Sequence, residues 1–270
     1  MKKLYAGICR FLCLYKAFTA QFIKRLAEYR GDFLIGTVAF LLRQILNLVF
    51  IFLIFSNITE LQGWNLQQII FIYGFSQIPR GIDHLYADNL WKVSYFLVRN
   101  GNFDKYLLRP INPLFHVFLE GFEPDALAEL LSGIILIIVS SANLSLRLNG
   151  VQIVLGIAAI AGGTMIYTGI KIAFAAIALK TKRSGSLLHM VYMTSDFSKY
   201  PVTIYNEVIK TIITYIIPFA FTAYYPASYL LTGENSLFCI GGTIAAGALW
   251  IIIGLLAWKK GLSVYESAGN

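Results

Sequence analysis

Six apolar segments, each long enough to cross a bilayer, constrain this sequence more than any other feature. A spanning helix needs about 20 mostly apolar residues. The chain has stretches of this kind at 33–56, 66–88, 125–142, 151–179, 203–225 and 238–258. The sequence therefore predicts an all-α membrane protein with six transmembrane helices. Because the number of crossings is even, both chain ends are expected on the same side.

The composition leaves little room for a soluble domain. Charged residues make up 13% of the chain, whereas soluble domains carry about 25%. Motifs of the types GxxxxGKS/T, GxSxG and HExxH are absent, which argues against an ATPase or hydrolase within this sequence. The cysteines Cys9, Cys13 and Cys239 are scattered, so neither a disulfide framework nor a metal site is expected.

Lysine and arginine are divided unequally between the two sides that these segments define. The N-terminal region, the 89–124 and 180–202 loops and the C-terminal tail hold 17 of the 22 residues, and the opposite loops hold only Arg147. By the positive-inside rule, both termini are cytoplasmic. The basic charge thus indicates topology, and no nucleic-acid partner is expected. Residues 1–32 have the pattern of an amphipathic helix lying on membrane lipids.

Several polar side chains fall inside the predicted spans, where such groups are costly. One hypothesis is that they line a partly polar path between the first, second and fifth spans. The alternative is that they pair with each other, as Arg80 with Asp83 and Glu207 with Lys210, or reach the interface. The candidates are Arg43, Asn47, Arg80, Asp83, Lys171, Glu207, Lys210 and Thr214.

Two prolines mark the end of the predicted fifth span. Pro218 lies late in the span, and Pro226 follows the aromatic run "FTAYY" at 221–225. Proline breaks helices, so the pattern allows a short re-entrant turn before the sixth span. Phenylalanine and tyrosine at this position are also typical of an interfacial aromatic belt. Both interpretations remain open from the sequence.

The 89–124 loop is too long for a simple connection and carries its own local signals. Asn100-Gly101 favours a turn, and 103–108 is compatible with one or two helical turns. Pro110 disfavours helical geometry at the residue before it, and Asn112-Pro113 begins a second helix. The sequence predicts a short cytoplasmic helix whose apolar residues need a partner surface.

Motifs along the whole chain carry a resemblance to a known family. They are "EYRGDFL" (28–34), "IPRG" (78–81), "GNFDKYLLRPINPLF" (101–115), "YPVTIYN" (200–206), "IIPFAFTAYYPASYLL" (216–231) and "WKKGLSVYESAG" (258–269). With these motifs the sequence resembles the transmembrane subunits of bacterial ATP-binding-cassette (ABC) exporters of the ABC type-2 permease class.

The resemblance implies a fold and an assembly. The chain would have an N-terminal interfacial helix over 1–32, a six-span domain over 33–258 and a cytoplasmic tail over 259–270 in the bacterial cytoplasmic membrane. Two permeases, identical or different, would associate with two copies of a separate ATPase, which binds ATP and Mg²⁺. The loop between the second and third spans would be the coupling helix on that ATPase, with contacts from Phe103, Asp104, Tyr106, Leu107 and Arg109.

The cargo cannot be named from these residues, although an amphipathic drug, peptide or lipid fits the absence of an evident ionic pocket in the sequence. Two other classes of function are compatible with the same spans. One is a self-sufficient ion-coupled transporter or channel that uses Arg43, Lys171, Glu207 and Lys210. The other is a membrane enzyme that acts on lipid. Transport without an ATPase subunit, or turnover by the purified chain, would distinguish them.

Overall fold

A computed structural model of the protein describes residues 30–267, and these are mostly helical. The predicted helix over 1–32, with Cys9 and Cys13, lies largely outside this range. The helices are α1 Arg30–Phe55, α2 Leu66–Ala87, α3 Asn89–Lys92, α4 Asp104–Leu107, α5 Pro113–Leu119, α6 Ala126–Asn143, α7 Gly150–Thr181, α8 Gly185–Met193, α9 Glu207–Thr211, α10 Tyr224–Thr232 and α11 Gly242–Ser263.

Shorter helical turns connect several of these helices. Turns of π-helix cover Val93–Leu97, Ile212–Ile216 and Leu237–Gly241. Turns of 3-10 helix cover Thr194–Lys199, Val202–Ile204 and Phe219–Thr222. The helical path that begins at Leu66 therefore continues with one interruption to Leu97, and the glycine of the predicted Asn100-Gly101 turn follows with a positive φ of 71°.

Four helices within residues 30–267 are long and apolar enough to cross a membrane: Ile35–Phe55, Ala126–Asn143, Gly150–Thr181 and Leu237–Ser263. They correspond to the predicted first, third, fourth and sixth spans. The predicted second span corresponds to α2, which has 22 residues and is more polar. The prediction of an all-α membrane protein is therefore confirmed.

A small hairpin precedes α2 and sets its first turn. Glu60–Leu61 and Trp64–Asn65 pair as antiparallel strands, and both turn residues, Gln62 and Gly63, have positive φ angles. Two positive φ angles are what a tight two-residue hairpin requires. Asn65 then caps α2, because its side chain accepts from the backbone N–H of Gln68 at 3.0 Å. In return, the backbone N–H of Asn65 donates to the side-chain oxygen of Gln68 at 2.9 Å. The hairpin thus fixes Trp64 at the start of α2.

The prediction of one continuous fifth span over 203–225 is wrong. Helical structure over these residues stops at Ile216, resumes as a 3-10 turn at Phe219 and continues in α10. The physical reason is Pro218, which disfavours helical geometry at the preceding residue. Ile217 accordingly has φ −124° and ψ 88°, outside the helical region.

Contacts with α2 and α7 show the path that the chain follows after Gly185. From Gly185 it runs antiparallel to α2: the Tyr192 hydroxyl donates to Asp83 at 3.1 Å, and Tyr200 packs near Tyr73, three turns closer to the start of α2. The chain then turns back. The ring of Phe219 lies 5.2 Å from that of Tyr167, in the middle of α7.

The return arm brings the chain to the start of α2 again. The rings of Tyr224 and Trp64 are 5.8 Å apart. Residues 205–232 therefore form a hairpin that enters the bundle from one end and leaves at the same end. The run 185–200, which the sequence suggested as part of a loop, spans the depth of α2 instead.

Parallel helices α7 and α11 approach each other closely along glycine positions spaced seven residues apart. A β-carbon at Gly247 would lie 2.5 Å from the carbonyl oxygen of Gly162, and one at Gly254 would lie 2.7 Å from that of Gly169. A β-carbon at Gly261 would lie 2.8 Å from the Ala176 carbonyl oxygen. Small residues at such positions allow helix backbones to touch in membrane bundles.

We expect Gly247→Ala to destabilise the protein, because its added methyl group must push the backbones of α7 and α11 apart. Overpacking of this kind costs about 1–3 kcal/mol. Thermal unfolding of the purified protein followed by size-exclusion chromatography measures the loss. Gly150→Ala is the matched control, since no atom lies within 4 Å of its added β-carbon. Equal stability of the two variants would contradict the close approach.

Candidate functional site

A polar cavity of about 390 Å³ lies between α1, α2, α6 and the run 189–196. It opens beside the C-terminal half of α2, and one face of this helix supplies Arg80 and His84, which are followed by Asp88 just after the helix ends. Its wall combines charged groups with aromatic and thioether side chains, and is formed by Arg43, Arg80, His84, Asp88, Trp91, Glu129, His189, Tyr192, Met193 and Asp196.

Ion pairs on one side of the cavity join α2 to α6. The Nε of Arg80 lies 3.3 Å from an Oε of Glu129, and one of its terminal nitrogens lies 3.5 Å from Asp196. His84 stands between Glu129 at 3.3 Å and Asp88 at 3.1 Å. The Glu129 side chain is almost fully buried, so these two partners compensate a carboxylate that would otherwise be costly in this environment.

A second ion cluster lies directly behind the cavity. The Lys171 ammonium group, which is buried, contacts Asp83 at 2.7 Å and also pairs with Asp88. Asp83 accepts further hydrogen bonds from the hydroxyls of Thr168 at 2.7 Å and Tyr192 at 3.1 Å. The predicted alternative of an Arg80–Asp83 pair is wrong, because Asp83 faces α7 whereas Arg80 faces α6.

Arg43 and Asn47 come from α1 and face the same region. Arg43 lines the main cavity, and both residues line an adjoining cavity of about 120 Å³. The Arg43 guanidinium carbon lies 5.6 Å from the Phe40 ring centre, and Arg43 forms no salt bridge with any described residue. The structure thus brings Arg43, Asn47 and Arg80 together, as the path hypothesis requires.

The remaining predicted path residues lie elsewhere. Glu207 and Lys210 form an exposed ion pair of 3.3 Å within α9, as the pairing alternative predicted. The Thr214 hydroxyl lies 3.2 Å from that of Tyr225, between the two arms of the 205–232 hairpin. None of these three side chains lines the cavity around Arg43 in the described part of the chain.

The cavity includes residues that the sequence reasoning did not select. Glu129 had a usable signal, because it is the lone charged residue in the apolar run "ALAELLSGIILIIV" and intramembrane carboxylates usually need a partner. His84 and Asp88 follow Arg80 at helical spacing on α2 and had a weaker signal. No signal in the sequence pointed to Asp196, because the sequence placed it in a loop.

The short helix predicted within 103–108 is present as α4, and its inner face packs against other parts of the same chain. Phe103 and Tyr106 are fully buried. The Phe103 ring lies 6.0 Å from that of Trp258 and 5.2 Å from that of Tyr265. The expectation that Phe103 and Tyr106 offer contacts to a partner is therefore wrong, because both are buried in a cluster with Trp258 and Tyr265 at the end of α11.

Hydrogen bonds hold the inner face of α4 from two directions. Asn89 donates to the Tyr106 hydroxyl at 3.0 Å, and that hydroxyl donates to Glu120 at 2.7 Å. Lys105 donates to the same carboxylate at 2.7 Å. Burial alone would raise the pKa of Glu120, but the bonds from Lys105 and Tyr106 bring it below its usual range.

Asp104 accepts hydrogen bonds from two residues that follow α11. The hydroxyls of Ser267 and Tyr265 donate to its two oxygens at 2.6 and 2.7 Å. These bonds, with that from Ser267 the larger effect, lower the pKa of Asp104. The carboxylate is therefore charged and the contact formed at neutral pH; protonation in acid would weaken it.

The outer side of the segment is apolar and exposed. Leu107 is 42% exposed and Leu108 is 83% exposed. Leu108 was not among the predicted contact residues, although the signal was present in the sequence as a second leucine before Arg109. Arg109 is exposed and lies 3.3 Å from a ring nitrogen of His116. As predicted, Asn112 caps α5, its side chain accepting from the backbone N–H of Leu114.

We expect Lys171→Met to destabilise the protein strongly, because it leaves the buried Asp83 carboxylate without its cation. Removing one partner of a buried ion pair costs about 3–5 kcal/mol. The double variant Lys171→Met/Asp83→Asn removes the stranded charge and should recover part of the loss. Thermal unfolding of the wild type, the two single variants Lys171→Met and Asp83→Asn, and the double variant measures the coupling. Additive losses would contradict the pairing.

Comparison with known proteins identifies the family of this chain. No curated protein and no solved structure gives a significant match to the chain. Residues 41–269 match the family described as ABC-2 family transporter protein. That match extends over most of the chain, including the cavity residues from Arg43 onward and the whole 103–109 segment. The chain therefore belongs to the ABC-2 transporter family and is a multi-pass membrane protein of the ABC permease type.

Proposed function

We propose that this chain is the permease subunit of an ATP-driven ABC exporter. It forms half of a dimeric transmembrane path with a second permease, identical or different, and couples to two copies of a separate cytoplasmic ATPase. ATP and Mg²⁺ are bound by that ATPase, and this chain supplies no catalytic group. Membership of the ABC-2 transporter family supports the proposal, since it identifies a transport component of the membrane.

The observation that carries the coupling role is the two-sided character of the 103–108 segment. Its inner face is buried against Trp258 and Tyr265, whereas Leu107 and Leu108 are exposed on the outside. An exposed apolar pair on a polar connection indicates a contact surface. A force applied to these leucines would reach α11 through Phe103 and the extension of α2 through the Tyr106–Asn89 bond.

The same proposal assigns the segments that cross the membrane. α1, α2, α6, α7 and α11 are five of the six spans, and the run 185–200 takes the place of the predicted fifth. The hairpin 205–232 is then re-entrant from the outer side. Both termini lie in the cytoplasm of a bacterial cell, and the basic loops support this orientation.

The cavity beside Arg43 and Arg80 is the candidate cargo path. Arg43 and Arg80 line it, and Asn47 lines the smaller cavity that adjoins it. Lys171 and Asp83 hold the wall from behind. Its mixture of charged groups with Trp91 and Tyr192 fits an amphipathic cargo such as a drug, peptide or lipid. Glu207, Lys210 and Thr214, in the re-entrant hairpin, stand apart from this cavity.

We expect the double variant Leu107→Ala/Leu108→Ala to weaken association with the ATPase about tenfold or more, as for apolar residues at the centre of an interface. Transport driven by ATP should fall with it. Co-purification with the ATPase and vesicle transport assays measure the two effects. Ile58→Ala, which alters an exposed apolar residue in the loop before α2, is the control. Unchanged assembly and transport in the double variant would contradict the coupling assignment.

We expect Arg43→Gln to lower ATP-driven transport severalfold while leaving folding and ATPase association largely intact, because Arg43 acts on the Glu129 and Asp196 carboxylates only at longer range than a salt bridge. Arg147→Gln removes a charge outside the cavity and should have no effect. Wild-type transport by the Arg43 variant would exclude it from the path. Transport that persists without any ATPase would instead favour an ion-coupled carrier.

A further inference from the structure

An aromatic cavity of about 310 Å³ lies at the end of the molecule opposite Asp104. The hairpin before α2, the helix α10 and the turn that precedes α11 meet there. Four of its nine lining residues are aromatic, one from the hairpin, two from α10 and one from the turn. They are Trp64, Tyr224, Tyr225 and Phe238.

The rings are arranged at steep angles to one another. Trp64 and Tyr224 meet at 73° with ring centres 5.8 Å apart, and Tyr225 and Phe238 meet at 87° with centres 5.0 Å apart. Tyr224 and Tyr225 meet at 60° and 5.2 Å. Rings packed only to fill a core could adopt such angles as well, but here they border open space. They bound that space on more than one side.

The described lining of the cavity carries charge of one sign, and Lys210 of α9 acts on Tyr225 from outside that lining. Glu234 is the one charged residue among its described lining groups, and it lies exposed at the rim. Ser228, Thr232 and Asn235 add neutral polar atoms. The negative faces of aromatic rings attract cations within about 6 Å of the ring centre, and alkylated ammonium groups are the ligands that aromatic cages recognise. An anion would meet the Glu234 carboxylate and ring faces of the same sign.

We propose that this cavity binds an alkylated ammonium group, with the four rings surrounding the methyl groups and Glu234 balancing the charge. The proposal rests on the cavity itself and does not depend on the exporter assignment. The site lies at the mouth of the hairpin 205–232, so a bound ligand contacts both that hairpin and the start of α11. It is separate from the charged cavity beside Arg80.

The test uses the full-length protein in lipid nanodiscs and two probes of equal shape. Choline carries a trimethylammonium group, and 3,3-dimethyl-1-butanol carries a neutral tert-butyl group in its place. Isothermal titration calorimetry should show choline binding about 10-fold more tightly, because only the cation gains from the ring faces. Equal affinity for both probes, or binding of neither, overturns the proposal. So does preferential binding of glucose, a neutral ligand that also suits aromatic rings and hydroxyls.

Three variants assign the binding to these side chains. Phe238→Leu keeps an apolar side chain but removes a ring, and Glu234→Gln removes the charge; each should weaken choline binding about 5- to 10-fold. Glu266→Gln is the matched control, because it removes an exposed carboxylate close to the Asp104 end of the molecule, outside the cavity lining. Choline binding that is unchanged in both cavity variants, or equally weakened in the control, would place the cation elsewhere.

Discussion

The polar interior of this protein depends on one interaction, the pairing of the buried Lys171 ammonium group with the carboxylates of Asp83 and Asp88. It joins α7 to α2 where two bare carboxylates would be intolerable in an apolar bundle. Asp88 is shared with His84, and His84 with Glu129, so the same cation anchors a series of contacts that reaches α6. The wall of the charged cavity is therefore held by a network rather than by isolated pairs.

The helix α2 connects the features to which we assign function. Trp64, at its beginning, forms one wall of the aromatic cavity, and Arg80 and His84 line the charged cavity further along. Just beyond its end, Asn89 donates to the Tyr106 hydroxyl in the 103–108 segment. A displacement of the 103–108 segment would thus act on an element that contacts both cavities. The glycine contacts between α7 and α11 provide a close-packed support for it.

Local chemistry made some parts of this structure predictable. The Asn112 cap and the end of α4 before Pro110 follow from residues adjacent in sequence. The prediction of the fifth span was wrong because an apolar helix that crosses the membrane and an apolar hairpin that enters it and returns have the same hydropathy. Pro218 showed where the chain breaks, but not that residues 185–200 would span the bundle in its place.

The sequence by itself determined that the chain is an all-α membrane protein, and the match over 41–269 confirms its ABC-2 family. Apolar length, basic loops and proline positions are properties of short segments, so they can be read without a fold. Only the tertiary structure decided that Asp83 pairs with Lys171, that Arg80 pairs with Glu129, and that Phe103 is covered by Trp258 and Tyr265. Those partners are distant along the chain, and the direction in which each side chain faces depends on how the helices pack.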